Sequence, residues 1–540
     1  MTLGVRPPGT RSAGAVRGRG EYRAAMYAAE HARSTPDRPA VIMAARGEVL
    51  TYGDFEAGSN QVAHMLRRAG LRRGDHVAIF MENEPAMLLA EAGAERSGLY
   101  YTCVNSHLSP DEVAYVVDDC QARVVFAGGS LAGVAADLPA RCPGVERFVI
   151  SGPRALAGYE TWAAALAGVP CDPIEDESLG AAMLYSSGTT GRPKGIWRPL
   201  PEAGPGDRLL AHEGLKAIWR LREEMVYLSP APLYHSAPQA NVALALRLGA
   251  TVVVMERFEP RAFLELVAAH RVTHTQMVPT MFTRLLRLPE EVRRSADVSS
   301  LEVVIHAAAP CPVPVKQQMI EWFGPILLEY YAATEANGFT LCDSAEWLAH
   351  PGSVGRAVVG EVLVLDDEGR PCPTGAPGTV WFKGATNFEY FRDPAKTAES
   401  RNVAGDTSTV GDVGYLDEEG YLYLTDRTSH MIISGGVNIY PQETENLLAT
   451  HPKVLDVAVI GVPDDDLGEA VKAVVQLVDG EEGDEALESE LVEYCRARLA
   501  HFKCPRSVDF VDELPRSPAG KLYKRLLRER YFEGHATRVL

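Results

Sequence analysis

"YSSGTTGRPKG", residues 185–195, follows directly on the apolar run 181–184, and its reading decides how the rest of the chain is understood. Three glycines, four Ser or Thr hydroxyls and Lys194 can together offer backbone N–H groups, hydroxyls and a positive charge to a polyphosphate. The Walker loop, G-x-x-x-x-G-K-[ST], is excluded. Gly188, Gly191 and Lys194 fall in the order G-x-x-G-x-x-K, and Gly195 stands where that loop needs a hydroxyl for Mg²⁺. Taken alone the stretch reads equally as a flexible turn, so its surroundings must decide.

To either side, helical and strand patterns alternate. Residues 60–68 place Val62 and Leu66 four apart beside basic residues, and "GDHVAIF" (74–80) reads as a short buried strand. "ARVVFAG", "AAMLYSS", "GATVVVME" and "LEVVIHAAAP" repeat the theme, as parallel sheets covered by helices require. Beyond Val354 the texture shifts to strand-like pieces joined by Gly and Pro turns, as in "GEVLVLDDEGRPCPTGAPGTVWFKG", which predicts a smaller all-β subdomain. After Arg427, "VLDVAVIGV" reads as a strand. Val471, Ala473, Val475 and Leu477 then alternate with Lys472 and Gln476, and Leu487, Leu491, Cys495 and Leu499 line one helix face. The expected fold is α/β. A leader over 1–24 is expected to be disordered; a large N-terminal domain of helix-covered, mostly parallel sheets plus a small β subdomain spans 25–426, and a small α+β domain spans 427–540.

A formal charge of −19 leaves no basic footprint, so nucleic acid is not an expected partner. The nine cysteines are scattered without a CxxC spacing, which predicts free thiols in a reducing compartment and a cytoplasmic protein. Arg6, Arg11, Arg17 and Arg19 sit among Pro and Gly with no apolar stretch after them, so the N-terminus fails as a secretory signal. No run approaches the about 18 apolar residues that a membrane span needs. A homodimer is left open as the assembly.

"SSGTTGRPKG" is followed, in order, by "PLYH" (232–235), "YYAATE" (330–335), "TVGDVGYLDEEGYLYLTDR" (409–427), "SGGVNIYPQETE" (434–445) and "PRSPAGKLYKR" (515–525). This series resembles the adenylate-forming (ANL) superfamily over about residues 25 to 530. Its motifs look most like those of bacterial AMP-dependent acyl-CoA synthetases for fatty or bulky acids. The resemblance implies that a small-molecule carboxylic acid attacks the α-phosphorus of ATP, releasing pyrophosphate and leaving an acyl-AMP, whose acyl group then passes to the thiol of coenzyme A. Both partners in the first step are anions, so the site must neutralise and align them.

By the same resemblance, Ser186, Ser187, Gly188, Thr189, Thr190, Gly191 and Lys194 hold the phosphates. Lys521 is implied as the principal catalytic cation, brought in on the tip of a mobile small domain. Thr334 would bond the α-phosphate, and Glu335 would bind Mg²⁺, with Ser186 a weaker candidate through water; one carboxylate suffices for so hard an ion. Tyr331 would stack on adenine against the backbone of Ala307, Ala308 and Ala309. Asp412 would accept both ribose hydroxyls, and Arg427 would bind the ribose or α-phosphate. His235, Ala307 and Ala332 would line the acyl pocket, with the His235 ring gating the carboxylate. A rotation about Ser429 would withdraw Lys521 and bring Ser434, Gly435 and Gly436 to the pantetheine channel. Each assignment has a plainer reading: an exposed lysine at 521, core packing at "YYAAT", an acidic turn at Asp412, a buried and satisfied His235.

Three departures from the superfamily pattern stand out. Ser429 and His430 occupy the hinge, where Asp or Lys followed by Asp is common. Ala307 and Ala332 replace frequent glycines, and the bulky Trp197 follows the loop. "VIHAAAPCP" offers histidine but no aspartate for an amine, so an uncharged fatty, alicyclic or terpenoid acid is expected as substrate. The alternatives are a fatty acyl-AMP ligase that loads a carrier protein, and a non-catalytic acyl or nucleotide sensor. The absence of a carrier domain after Lys521 favours a soluble thiol.

Overall fold

A computed structural model describes residues 26–185, 193–384, 387–427, 430–434, 437–464, 467–516 and 522–532; for Asp426, Arg427 and Asn438 it describes the backbone alone. The expected leader, the phosphate-loop residues 186–191, Ser429, Gly435, Gly436 and Lys521 lie outside the described residues.

Apolar, β-branched runs form two sheets. The first has six strands, all parallel, in the order Glu160–Thr161, Arg147–Ile150, Ala122–Ala127, His76–Phe80, Tyr100–Cys103 and Ala181–Ala182. The second has nine strands. Its middle, Leu327–Tyr331, Val303–His306, His274–Met277, Val226–Ser229, Thr251–Val254 and Pro39–Met43, is parallel, and antiparallel strands close both edges. Parallel strands need both faces covered, and the inner strands are accordingly buried along most of their length, even where they carry polar side chains, as in His274–Met277.

Helices supply the cover. Val62, Leu66, Leu88 and Val242, from helices Tyr52–Arg68, Pro85–Arg96 and Ser236–Arg247, share one core with Val77 and Ile79 of the first sheet and Val252 and Ile305 of the second. These helices therefore lie between the sheets. Helix Pro110–Asp119 covers the far face of the first sheet through Val113 and Val117, and helices Pro260–His270 and Val313–Phe323 cover the far face of the second. Reciprocal capping boxes start Tyr52–Arg68 (Thr51 with Asp54) and Pro110–Asp119 (Ser109 with Glu112), satisfying N-terminal N–H groups that would otherwise lack acceptors.

One run departs from the reading above. "AAMLYSS" is not one strand: Ala181–Ala182 joins the six-stranded sheet, while Leu184–Tyr185 pairs with Gly195–Trp197 in a small antiparallel sheet, and buried Met183 marks the crossing. The small β unit is present as Glu361–Leu365, Gly378–Lys383, Asp412–Leu416 and Leu422–Arg427 with Thr407–Ser408 alongside. A last sheet contains Ile432–Ser434, Val437–Ile439, Val454–Asp464, Gly468–Leu477 and Ser507–Val511. Helix Glu485–Arg496 packs on it through Leu487, Leu491 and Cys495, and Leu499 joins the same core from beyond the helix end.

Candidate active site

The C-terminal ends of parallel strands are where α/β folds place their ligands, because the strands stop there and the chain turns away into loops. Two neighbouring strands of the large sheet end in the predicted segments: Val303–His306 runs into Ala307, Ala308 and Ala309, and Leu327–Tyr331 runs into Ala332 to Glu335. Ala307 is buried. Ala308 is exposed and holds φ at +76°, left-handed backbone that costs an alanine about 1 kcal/mol or more and here turns the chain out of the sheet. Of the two alanines, it is 308 and not 307 that occupies backbone suited to glycine.

Tyr331 and Asp412 meet. The phenol donates to Asp412 Oδ2 at 2.6 Å, joining the large sheet to the small β unit across 81 residues of sequence. Asp412 is buried and opens its strand, where its backbone pairs with that of Arg427. Tyr331 also packs near Phe382, with ring centroids 6.0 Å apart, and Gly338 clears the way, since a Cβ there would collide with the Phe382 ring. The two residues predicted to hold adenine and ribose thus belong to one bonded unit.

Glu335 is buried, and its Oε1 accepts a 2.8 Å hydrogen bond from Tyr390. Tyr390 pairs with Ile196 in the small antiparallel sheet whose other strands flank residues 186–192. Lys194 lies between these parts, its Nζ 5.7 Å from the Tyr390 ring centroid and 3.5 Å from Asp393 Oδ2. Gly195 is required by close approach: a Cβ would stand 3.1 Å from the Tyr185 ring and 3.2 Å from Phe391. Arg198, just past this strand, donates to the Thr334 carbonyl oxygen at 2.6 Å. Burial lowers the Arg198 pKa, and the Glu335 charge opposes that shift. Neither Tyr390 nor Arg198 was singled out from the sequence. Their partners lie 55 and 136 residues away, so no local pattern marks them.

His235 is half-buried at the N-terminus of helix Ser236–Arg247, and its ring lies 4.5 Å from that of Tyr234. Burial raises the Tyr234 pKa, and Tyr523, two residues past Lys521, is among the neighbours that raise it further. A polar chain missed in the sequence crosses the sheet face under the same helix: Asn241 bonds Gln276, and Gln276 Nε2 donates to the Tyr330 hydroxyl at 2.9 Å. Beneath Ala307, fully buried Lys316 pairs with Glu329, and burial together with Lys316 pushes the His306 pKa far down, so that His306 is neutral.

Ser434 ends the strand Ile432–Ser434, pairs with Val437 across residues 435–436, and is bridged to Gly468. It belongs to the C-terminal sheet, and the described residues do not join it to the nucleotide cluster. Among the described residues no helix is long and apolar enough to cross a membrane, and no group of three or more His, Cys, Asp or Glu side chains could hold a metal.

Comparison with known proteins gives the same picture. Residues 28–391 match the model of the AMP-binding enzymes, and residues 443–521 match that of the AMP-binding enzyme C-terminal domain. The chain is 32% identical to a fatty acid–[acyl-carrier-protein] ligase, ScoC, of Streptomyces coeruleorubidus, covering 94% of this chain and 96% of that one. It is 34% identical to a feruloyl-CoA synthase of an Amycolatopsis species, over 90% and 94% of the two chains. Among solved structures, ATP-bound MatB from Rhodopseudomonas palustris superposes with a TM-score of 0.77 at 30% identity, covering 94% of this chain and 99% of that one. With the family model matched across most of its length, the chain belongs to the AMP-binding enzyme family.

Proposed function

We infer that the protein is an AMP-forming acid–thiol ligase that uses ATP to turn a carboxylic acid into its coenzyme A thioester. The observation that carries this reading is the Tyr331–Asp412 and Glu335–Tyr390 pairing at the strand ends, in a chain matched nearly end to end by acyl-activating relatives. In the first step a carboxylate oxygen attacks the α-phosphorus, the bond to the β-phosphate oxygen breaks, and that electron pair leaves on pyrophosphate. In the second, the thiol adds to the acyl carbonyl, loses its proton and expels AMP. No protein base is needed for the first step, since the acid is already ionised at neutral pH.

Residue roles follow the chemistry available. Asp412 would hold the ribose, Tyr331 the adenine face, and Thr334 the α-phosphate, with Arg427 beside the ribose. Ser186, Ser187, Gly188, Thr189, Thr190, Gly191 and Lys194 would cradle the remaining phosphates. Mg²⁺ fits the donor set: Tyr390 occupies one Glu335 oxygen, leaving a hard carboxylate oxygen for an ion otherwise held by phosphate and water. When bound, the ion would neutralise phosphate charge. Lys521 would stabilise the forming bond. We place the domain boundary between residues 426 and 427 and the hinge at Ser429, with Ser434, Gly435 and Gly436 in the pantetheine channel. The acyl group would lie by His235, Ala307 and Ala332, and the substrate would be an uncharged fatty or alicyclic acid. The scattered free cysteines support a cytoplasmic setting.

The likeness to ScoC supports a second reading, transfer to a carrier protein in place of coenzyme A. Mass spectrometry of products formed from ATP, Mg²⁺, coenzyme A and a mixture of fatty, aromatic, alicyclic and amino acids separates the two. An acyl-CoA is the expected product; acyl-AMP without thioester would favour the carrier-protein reading, and amino-acid adenylates alone would contradict the substrate class.

A further inference from the structure

Arg198 is the feature the reaction scheme leaves unused. Its backbone is fixed: Tyr100 donates to the Arg198 carbonyl at 2.7 Å, and the ring of Trp197 faces Tyr100 at 6.2 Å. Arg198 directly follows the strand Gly195–Trp197, whose Ile196 packs on Phe388 and Tyr390. Its guanidinium reaches the Thr334 carbonyl and has Glu335 as its charged neighbour.

A guanidinium carries five N–H donors. Among the described residues, the acceptor recorded for this one is a single uncharged carbonyl, and no carboxylate lies within ion-pair distance. The most enclosed arginines elsewhere are treated differently. Arg96 is paired with Glu56 at 2.7 Å and Glu177 at 3.4 Å, and Arg247 with Glu95 at 2.9 Å. A partly buried cation without a counterion is destabilising unless an anion arrives to share its site. Arg198 is only partly buried, and Tyr390 links its surroundings to Lys194: the Tyr390 hydroxyl bonds Glu335, the charged neighbour of Arg198, and its ring lies 5.7 Å from Lys194 Nζ.

We propose that Arg198 binds the β- and γ-phosphate oxygens of ATP, and hence the departing pyrophosphate, as a second cation beside Lys194. This rests on the ligase reading above. A planar fork suits two phosphate oxygens at once, and its charge favours the electron pair that leaves with pyrophosphate. No proton moves to or from Arg198 in the step. Its bond to the Thr334 carbonyl holds the guanidinium beside the segment that would take the α-phosphate.

The test is equilibrium binding of pyrophosphate, ATP and AMP to the full chain and to R198K and R198Q, with melting temperature and the KM and kcat of ATP–pyrophosphate exchange measured alongside. R198Q should weaken pyrophosphate and ATP about ten- to a hundredfold, leave AMP within about twofold, and act mainly on KM; R198K should recover most of the loss. Parallel loss of all three ligands, with R198K as damaging as R198Q, would show that Arg198 only holds the Thr334 segment and overturn the proposal. So would an R198Q protein that binds as the unaltered chain does. If R198Q does not fold, chemical modification of the unaltered protein by phenylglyoxal decides: pyrophosphate should shield Arg198 and AMP should not, and equal or absent shielding contradicts the assignment. Failure of the unaltered protein to bind ATP at all would instead sink the ligase reading.

Discussion

The side of the site proposed for the nucleotide and the side proposed for the thiol are held by different kinds of bond. On the nucleotide side, functional side chains hold one another: Tyr331 bonds Asp412, Tyr390 bonds Glu335, and Arg198 bonds the Thr334 carbonyl, each joining parts of the chain far apart in sequence. On the thiol side Ser434 is placed by backbone ladders of the C-terminal sheet, and that unit's strong contacts are its own, such as buried Lys524 with Glu445 at 2.9 Å and Arg516 with Asp456. Contacts across to the larger body are lighter in kind, as where Arg287 donates to the Val454 carbonyl at 2.8 Å. Such contacts would suit the two reactions proposed at one centre. The first needs fixed alignment, and the second needs the smaller unit to move without unfolding.

That contrast can be broken at several points. Lys521→Ala should cut adenylation by about two to three orders of magnitude, in line with loss of one charge-stabilising group, while thioester formation from supplied acyl-AMP stays near normal. Single-turnover assays of each half-reaction read this, and equal loss of both would remove the alternation from the account. Asp412→Ala should weaken ATP about ten- to a hundredfold, measured by calorimetry, because it removes a charged acceptor from the ribose and strands the Tyr331 phenol. Tyr331→Phe keeps the ring and loses only that bond, so a change of about two- to tenfold is expected. A larger loss in Tyr331→Phe than in Asp412→Ala would mean the pair is not organised around the carboxylate. Arg287→Ala should act least: adenylation down by a few-fold at most, since it loses one hydrogen bond at the contact, with acyl transfer unchanged. Rate loss confined to acyl transfer would place this contact in the other arrangement of the two units.

Much of the fold was legible because buried parallel strands leave continuous apolar runs. "GDHVAIF" and "LEVVIHAAAP" mark strands His76–Phe80 and Val303–His306, although the second run continues four residues past its strand. "AAMLYSS" misled for the same reason. An apolar run shows that residues are buried, not which sheet each one joins, and pairing with Tyr101 on one side and Ile196 on the other splits it. At the candidate site, Glu335, Asp412 and Tyr331 could be singled out because the motif spacing around them carries a resemblance. Tyr390 and Arg198 were not, since their meaning lies in partners brought close only by folding. The positive φ at Ala308 was likewise hidden, because an alanine gives no sign of left-handed backbone.

The central claim is that an acyl-AMP forms and is then consumed by a thiol. Its most direct test is to feed the turned-over acid with both carboxyl oxygens labelled as ¹⁸O and weigh the products. The mechanism predicts AMP carrying one labelled oxygen, because the attacking carboxylate oxygen stays on phosphorus when the thiol takes the acyl group. Unlabelled AMP with label in pyrophosphate or inorganic phosphate would contradict it.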